Sequence, residues 1–495
     1  MIKKVLIANR SEIAVRIIRA AREEGISPVT VYSDADKDAL HVRLADESYN
    51  IGLPLAKESY LNSEKLITSA LKAGCQAIHP GYGFLSESAV FAKQVEDAGL
   101  IFVGPLHSSI SAMGDKIRAR NLMTKAEVPV VPGILAEIDS IKQARKEAEK
   151  LRYPILVKAA GGGGGKGIRV VRNPDELEPA LEAAAREAGS AFNDRRVYIE
   201  KYMVRPRHIE IQVMADSFGN TVHLFERECS IQRRHQKVIE EAPALILDDA
   251  MRAKMGSAAV RAAKAVNYRG AGTVEFLVDE NRNFYFLEMN TRIQVEHPVT
   301  EMITGLDLVR LQFQIANGAK LPFSQEQIQR RGHAIECRIY AEDPENDFLP
   351  SPGKLHLVSM PHIPGVRVDS GIESGLEVST FYDPILCKVI AWGENREAAR
   401  KRMILALRET VVLGVSTPIS LLLEILNHQA FIEWETHTGF LEEHGFLQKF
   451  RPGKDLPPEV LLAAAVYQPR KSMASGGKAL SSTPWAEIGS WKIGG

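Results

Sequence analysis

The stretch from Val5 to Ser33 constrains this chain more than any other, because it reads strand, helix, strand. VLIAN (5–9) is a short apolar run. In SEIAVRIIRAAREEG the apolar residues Ile13, Ala14, Ile17, Ile18 and Ala21 recur at helical spacing, with Ser11 placed to cap the start and Gly25 to end it. PVTVYS (28–33) follows as a second strand. A strand that returns through a helix lies parallel to the first, and a parallel sheet needs cover on both faces. The chain therefore opens as an α/β layer. The turn after the first strand lacks G-x-G-x-x-G, so the dinucleotide fingerprint is missing.

QAIHPGYGFLSES (76–88) is a strand running into a Gly-rich turn that carries His79 and Tyr82. Such loops lie at strand C-termini, where ligands bind in doubly wound sheets; a plain structural turn fits equally well. From about residue 114 the pattern changes. Strand YPILVKAA leads into GGGGGKG (161–167) and then strand IRVVR. A helical segment (175–188), strands VYIEKYM and HIEIQVMAD, the turn SFGN and strand TVHLFERE follow. Walker A fails twice, since Ala160 and Gly167 occupy its first and last positions. No helix follows the glycines, so the loop reads as a hairpin tip, and a flap folding over nucleotide phosphates suits that geometry. A run of five glycines is costly to order, which favours a function over a merely flexible tip.

TVEFLVDENRNFYFLEMN (273–290) reads as a β-hairpin, with Glu275 on one strand and Glu288 and Asn290 sharing a face of the other. Facing carboxylates destabilise a sheet unless something lies between them, and a hard cation removes that penalty. Two unrelated surface acids fit the spacing as well. The alternation continues through FLEMNTRIQVEHP (286–298), with Glu288, Asn290, Arg292, Gln294 and Glu296 on one face. A solvated edge strand and a substrate-facing strand both match it.

The chain has 495 residues, enough for roughly two to four domains. Lys+Arg and Asp+Glu are balanced at 62 each, which gives no general basic field for nucleic acid or an anionic membrane. No apolar run reaches bilayer length, and the N-terminus lacks a signal peptide's apolar core and cleavage site. Cys75, Cys229, Cys337 and Cys387 are scattered, which points to a reducing compartment, with the cytoplasm expected. After residue 335 the pattern is mixed α/β again, and the tail from about 451 is linker-like, with the small, polar run MASGGKALSST.

Taken in order, ANRSEIA, HPGYGFLSES, MGDK, LVKAAGGGGGKG, EKYMVRPRHIEIQV, ECSIQRRHQKVIEEAP, EFLVDENRNFYFLEMNTRIQVEHPVTE and ECRIYAEDP resemble the biotin carboxylases, ATP-grasp enzymes of the biotin-dependent carboxylases. The resemblance runs from about Lys3 to about Leu447. It implies a Rossmann-like N-terminal domain (1–113), an ATP-grasp domain (114–330) with a mobile glycine-rich lid at about 131–203, and a mixed α/β C-terminal domain (331–447). Residues 448–495 resemble the start of the bridging region of long acyl-CoA carboxylase α chains.

The resemblance also implies roles. ATP is expected at Lys116, Lys158, Gly164, Gly165, Glu200, Lys201, Tyr202, Met203, His208, Gln232 and His235. Mg²⁺ or Mn²⁺ is expected at Glu275, Glu288 and Asn290, and bicarbonate at Lys237, Arg292, Gln294 and Val295. Glu296 matches the base, Arg338 the arginine that stabilises the biotin enolate, and Tyr82 a residue near biotin. Arg292, Glu296, Arg338 and Lys237 form the expected catalytic set. Biotin is expected as a substrate on a biotin carboxyl carrier protein, with a carboxyltransferase subunit as second partner and a homodimer as the assembly. The tail has no Met-Lys-Met biotin acceptor, so biotin comes on a separate carrier or the chain is part of a longer one. The expected step is the first half-reaction of an acyl-CoA (acetyl-, propionyl- or longer) or pyruvate carboxylase; the tail points weakly to a branched or longer acyl-CoA over acetyl-CoA, and another domain or subunit selects the acceptor.

Two positions depart from the family pattern: Ser11 replaces a usual glycine and Ser88 a usual asparagine. The rival readings are another ATP-grasp ligase of the carbamoyl-phosphate or purine type, a non-catalytic nucleotide-binding subunit, and a scaffold. The QRRHQK and RIQVEHP pair with Arg338 argues against the first. Intact Glu275, Glu288, Arg292 and Glu296 argue against the second.

Overall fold

The opening strand–helix–strand forms as expected. In the computed structural model, β1 (Lys4–Ile7), helix α1 (Ser11–Glu23) and β2 (Ser27–Ser33) are joined by β3 (Glu47–Gly52), β4 (Ala77–His79) and β5 (Ile101–Phe102). All pair in parallel in the order β3-β2-β1-β4-β5, a Rossmann-like layer. Ile13, Ala14, Ile17, Ile18 and Ala21 are buried on α1, and Gly25 ends the helix at φ 69°. The structure describes residues 1–449 except 135–137, 139, 161–167 and 193. The described residues belong to one compact unit, Met1–Phe450. Residues 450–495, most of the expected tail, lie outside them.

Ser11 corrects the sequence reading. The N-cap residue is Arg10, without a side-chain cap, and Ser11 itself sits in the left-handed region at φ 56°. A Cβ added to Gly371 would come within 2.5 Å of the Glu12 nitrogen, so the backbones of these two segments meet here. A glycine at position 11 would take that φ without strain; serine takes it at a cost of about 1 kcal/mol. Ser88, by contrast, caps the helix Ala89–Asp97, its Oγ accepting the Phe91 N–H at 3.2 Å.

The expected lid is a small layer of its own. β6 (Ile155–Ala159) lies between β7 (Ile168–Val171) and β8 (Val197–Lys201), all antiparallel. The helices Ile141–Leu151 and Leu177–Phe192 contribute Ala144, Ala148, Leu177 and Ala184 to its separate core. The strand–loop–strand reading thus holds for β6 and β7, while the glycine run between them lies outside the described residues.

The largest sheet has eight strands: β9 (Arg207–Ala215), β10 (Thr221–Arg233), β11 (Gln236–Ala242), β12 (Gly270–Val278), β13 (Phe284–Asn290), β14 (His333–Tyr340), Val366–Ser370 and Ile385–Gly393. They run antiparallel in the order β13-β12-β9-β10-β11-β14, then Ile385–Gly393 and Val366–Ser370. β11 pairs with β14, so strands on either side of residue 330 share one sheet. Strand alternation sorts the side chains. Ile209, Ile211, Val213, Val274, Phe276 and Val278 enter the core under the helix Asp249–Ala265. Ile335, Cys337 and Ile339 enter the core under the helix Arg396–Glu409. The intervening residues His208, Glu210, Gln212, Thr273, Glu275, Glu336 and Arg338 take the opposite face.

Candidate active site

Three carboxylates stand in a row across that polar face. Glu275 on β12 is the register partner of Glu210 on β9 and of Glu288 on β13. Unpaired, such a row would splay the sheet. Lys237 compensates, donating to Glu210 at 2.5 Å, Glu275 at 3.0 Å and Glu296 at 2.5 Å. Arg227, fully buried, donates to Glu210 at 2.5 Å and Gln212 at 2.7 Å, and also to Gln294 at 2.7 Å. His208 Nε2 lies 3.2 Å from Glu275 Oε2, and Gln232 Nε2 lies 3.0 Å from His208 Nδ1. Burial alone would push Glu275 up; Lys237 and His208 outweigh it and hold this carboxyl well below the usual range. Burial would lower Lys237, but the three carboxylates hold it well above its ordinary value.

The alternation in FLEMNTRIQVEHP does not persist as a strand. β13 ends at Asn290, residues 291–296 form a loop, and the helix His297–Thr304 begins with Pro298 in its first turn. The loop still gathers the polar residues. Asn290 Nδ2 and Gln294 Nε2 each donate to Glu275 Oε1 at 2.8 Å. Arg292 donates to Asn290 Oδ1 at 3.0 Å. The Val295 carbonyl accepts from Lys388 Nζ at 2.7 Å. Glu296 is 2% exposed, bonded to Lys237 on one oxygen and to Arg338 at 3.0 Å on the other. Burial would raise its pKa; Lys237, Arg338 and Arg227 hold it far below the carboxylate range.

Arg338 also donates to Glu240 at 2.5 Å. Glu240 faces Glu336 in register, and Glu240 Oε2 and both Glu336 oxygens are buried without a hydrogen bond among the described residues. Burial pushes Glu240 up to about 7, against the pull of Arg338. Arg338 faces Lys388 on Ile385–Gly393. Lys388 is wholly buried, 3.6 Å from Glu12 and 3.8 Å from Asp369. Its Nζ lies 5.8 Å from the centre of the Tyr82 ring, whose hydroxyl is buried without a partner among the described residues. The Tyr82 carbonyl accepts from Asn9 Nδ2 at 2.6 Å, which fixes the loop.

Of the residues expected at ATP, Lys158 lies on β6 and Glu200 and Lys201 on β8, while His208 and Gln232 lie on β9 and β10. Lys158 Nζ donates to Glu200 Oε2 at 2.8 Å, and Arg120 pairs with the other oxygen. Lys116 Nζ lies 3.7 Å from Glu288 Oε2. The N–H of Lys201 bonds the Pro132 carbonyl and that of Tyr202 the Pro154 carbonyl; the Lys201 ammonium is turned to the Arg152 carbonyl at 2.6 Å. Met203 is half-buried. His235 sits in the β10–β11 turn at φ 67°, its pKa lowered by burial. Gly164 and Gly165 lie outside the described residues.

The expected metal ligands are all hard oxygen donors, which suits Mg²⁺ or Mn²⁺. Glu275 and Asn290 are bonded together and Glu288 faces Glu275, but its carboxylate leans to Lys116. Among the described residues, the tight clusters of acid, imidazole and thiol groups are His208/Glu210/Glu275 and Glu210/Cys229/Glu296, with ligand atoms within 4.8 Å. Sequence reasoning missed Glu210, Arg227, Glu240 and Lys388. For Glu210 a signal existed, since His208, Glu210 and Gln212 alternate with isoleucine and valine in HIEIQV. No helix among the described residues is long and apolar enough to cross a membrane.

The chain matches "Biotin carboxylase, N-terminal domain" over residues 1–110, "Carbamoyl-phosphate synthase L chain, ATP binding domain" over 115–324 and "Biotin carboxylase C-terminal domain" over 336–443. Biotin carboxylase 1 of Bacillus subtilis is 52% identical over 445 residues, 90% of this chain and 99% of that protein. The mitochondrial methylcrotonoyl-CoA carboxylase subunit alpha of Dictyostelium discoideum is 49% identical over 495 residues, 99% of this chain and 70% of that protein. A crystal structure of the biotin carboxylase domain dimer of Hydrogenobacter thermophilus 2-oxoglutarate carboxylase, with MgADP, ADP and bicarbonate, superposes with TM-score 0.88 at 46% identity, covering 91% of this chain and 100% of that one.

Proposed function

The chain belongs to the biotin carboxylase family, ATP-dependent ligases that use bicarbonate to carboxylate biotin, and from that premise we propose how its residues divide the work. The observation that carries the reading is Glu296, held at 2.5 Å by Lys237 and at 3.0 Å by Arg338. One carboxylate thus joins the bicarbonate side to the biotin side.

Lys116, Lys158, Gly164 and Gly165 hold the ATP phosphates, with 131–203 closing over them as the lid. Glu200, Lys201, Tyr202 and Met203 take the adenine, partly through backbone, and His208, Gln232 and His235 the ribose and phosphate contacts. Glu275, Glu288 and Asn290 would hold Mg²⁺ or Mn²⁺, which would neutralise phosphate charge when bound; the facing carboxylates and all-oxygen donor set fit that ion. Arg292 offers a fork to bicarbonate, with Lys237, Gln294 and Val295 around it. Glu296 takes the bicarbonate proton. Its depressed pKa makes it a weak base, so placement supplies most of its effect.

The deprotonated bicarbonate oxygen attacks the γ-phosphorus, ADP leaves, and carboxyphosphate forms. This splits to CO₂ and phosphate. Phosphate takes the biotin N–H proton, and the nitrogen attacks CO₂. Arg338 steadies the enolate oxygen that develops, beside Tyr82. Arg338→Ala is expected to lower biotin-dependent ADP release by roughly 10²–10³-fold, as loss of an oxyanion donor does elsewhere. An unchanged rate removes Arg338 from the mechanism.

The biotin travels on a carrier protein, a carboxyltransferase receives the carboxyl group, and the chain pairs as a homodimer, as the similar Hydrogenobacter domain does. The tail, which resembles that of long acyl-CoA carboxylase α chains and is included in the match to the Dictyostelium methylcrotonoyl-CoA carboxylase subunit, favours a branched or longer acyl-CoA acceptor. Four buried free thiols suit the cytoplasm.

A further inference from the structure

We propose that Glu87 is a positioning residue for the bicarbonate fork: it holds the Arg292 guanidinium so that two terminal N–H groups stay open to the anion. The inference rests on the reading of Arg292 as the bicarbonate arginine.

A guanidinium carries five N–H donors. Arg292 Nε donates to Glu87 Oε2 at 2.8 Å, one Nη2 hydrogen goes to Asn290 Oδ1 at 3.0 Å, and one Nη1 hydrogen to the Ile293 carbonyl at 3.2 Å. Among the described residues no other acceptor bonds to it. One N–H remains on each terminal nitrogen, the donors a planar oxyanion can take together. Without Glu87 the cation would be drawn elsewhere, since Glu296 and Glu275 also attract it.

The carboxylate is itself well anchored. Its second oxygen accepts the Thr291 N–H at 3.1 Å, so Glu87 grips backbone and side chain of adjacent residues. On one side Ser86 is buried and its N–H bonds the Gly83 carbonyl; on the other Ser88 caps the helix Ala89–Asp97. The same loop carries Tyr82. A residue from the N-terminal layer therefore sets the anion fork at the end of β13, and the loop expected near biotin is tied to the bicarbonate side. The pair is partly exposed, with Glu87 at 42% and Arg292 at 19%, so it contributes little to stability. Its worth lies in placement.

The test is a bicarbonate titration of ADP release, with free biotin and saturating MgATP, for the full chain and Glu87→Ala, Glu87→Gln and Arg292→Ala. Glu87→Ala is expected to raise the KM for bicarbonate about tenfold, the scale of one charge-assisted hydrogen bond. Its KM for ATP and its melting temperature should stay near the parent values. Glu87→Gln should recover part of the loss, because the amide oxygen still accepts from Nε. If Arg292→Ala raises the bicarbonate KM while Glu87→Ala leaves it within twofold, the role of Glu87 is overturned and that of Arg292 stands. If Arg292→Ala leaves that KM unmoved, the assignment of Arg292 fails, and the role of Glu87 fails with it.

Discussion

Ser11 shows how a single residue can be read correctly for chemistry and wrongly for geometry. Serine is a common N-cap, and the sequence places it before a helical period. The structure instead puts it inside the first turn at φ 56°, against the backbone of another segment. The segment it meets, at Gly371, is far along the chain, and no local pattern reveals that approach. Ser11→Gly is therefore expected to raise stability by up to about 1 kcal/mol in a denaturant titration. A loss of stability would contradict the strain. Lys388 was hidden in the same way. It sits in an apolar strand, ILCKVIAWG, and only the fold brings Glu12, Asp369 and the Val295 carbonyl to its ammonium. The facing of Glu275 and Glu288 was legible because hairpin partners are close in sequence, and the register brings the two opposite each other.

At the scale of elements, pattern and structure agree where strands alternate and part where the chain turns. β9, β12 and β13 sort apolar from polar residues as a period of two requires. The same period runs on through Glu296, yet residues 291–296 are loop, because Pro298 and the helix His297–Thr304 end the pleat. Alternation alone cannot separate a strand from a loop that happens to alternate. The β11–β14 pairing was not legible either, since about ninety residues separate the strands. That pairing carries an ion cluster: Glu241 on β11 accepts from Arg396 at 2.6 Å and lies 2.8 Å from His333 on β14. Burial would raise Glu241, but Arg396 and His333 bring it down to about 2. A carboxyl depressed in the folded state stabilises above its unfolded pKa, about 4.3, and loses that contribution as pH falls through the folded value. The stability gap between the protein and Glu241→Gln should be full above about pH 4.5 and shrink as pH falls toward 2. A gap independent of pH across that window would contradict the assignment.

For the whole molecule, the site is a joint product of distant segments. Tyr82, Glu87 and Glu12 come from the N-terminal layer, Glu275 and Glu296 from the middle of the chain, and Arg338 and Lys388 from the strands after residue 330. Ion pairs tie the same regions together: Glu301, on the helix that follows Glu296, accepts from Arg16 at 3.0 Å and Arg367 at 2.6 Å. Domain order and family were legible from motif order; the shared sheet was not, because no motif crosses residue 330. On the proposed function, these segments together make one centre for bicarbonate, ATP and biotin. The most direct measurement is ADP release by the purified chain with ATP and Mg²⁺, with and without bicarbonate and free biotin. Release is expected to require bicarbonate and to rise with biotin. Release that ignores bicarbonate, or bicarbonate-dependent release that biotin leaves unchanged, would overturn the shared centre.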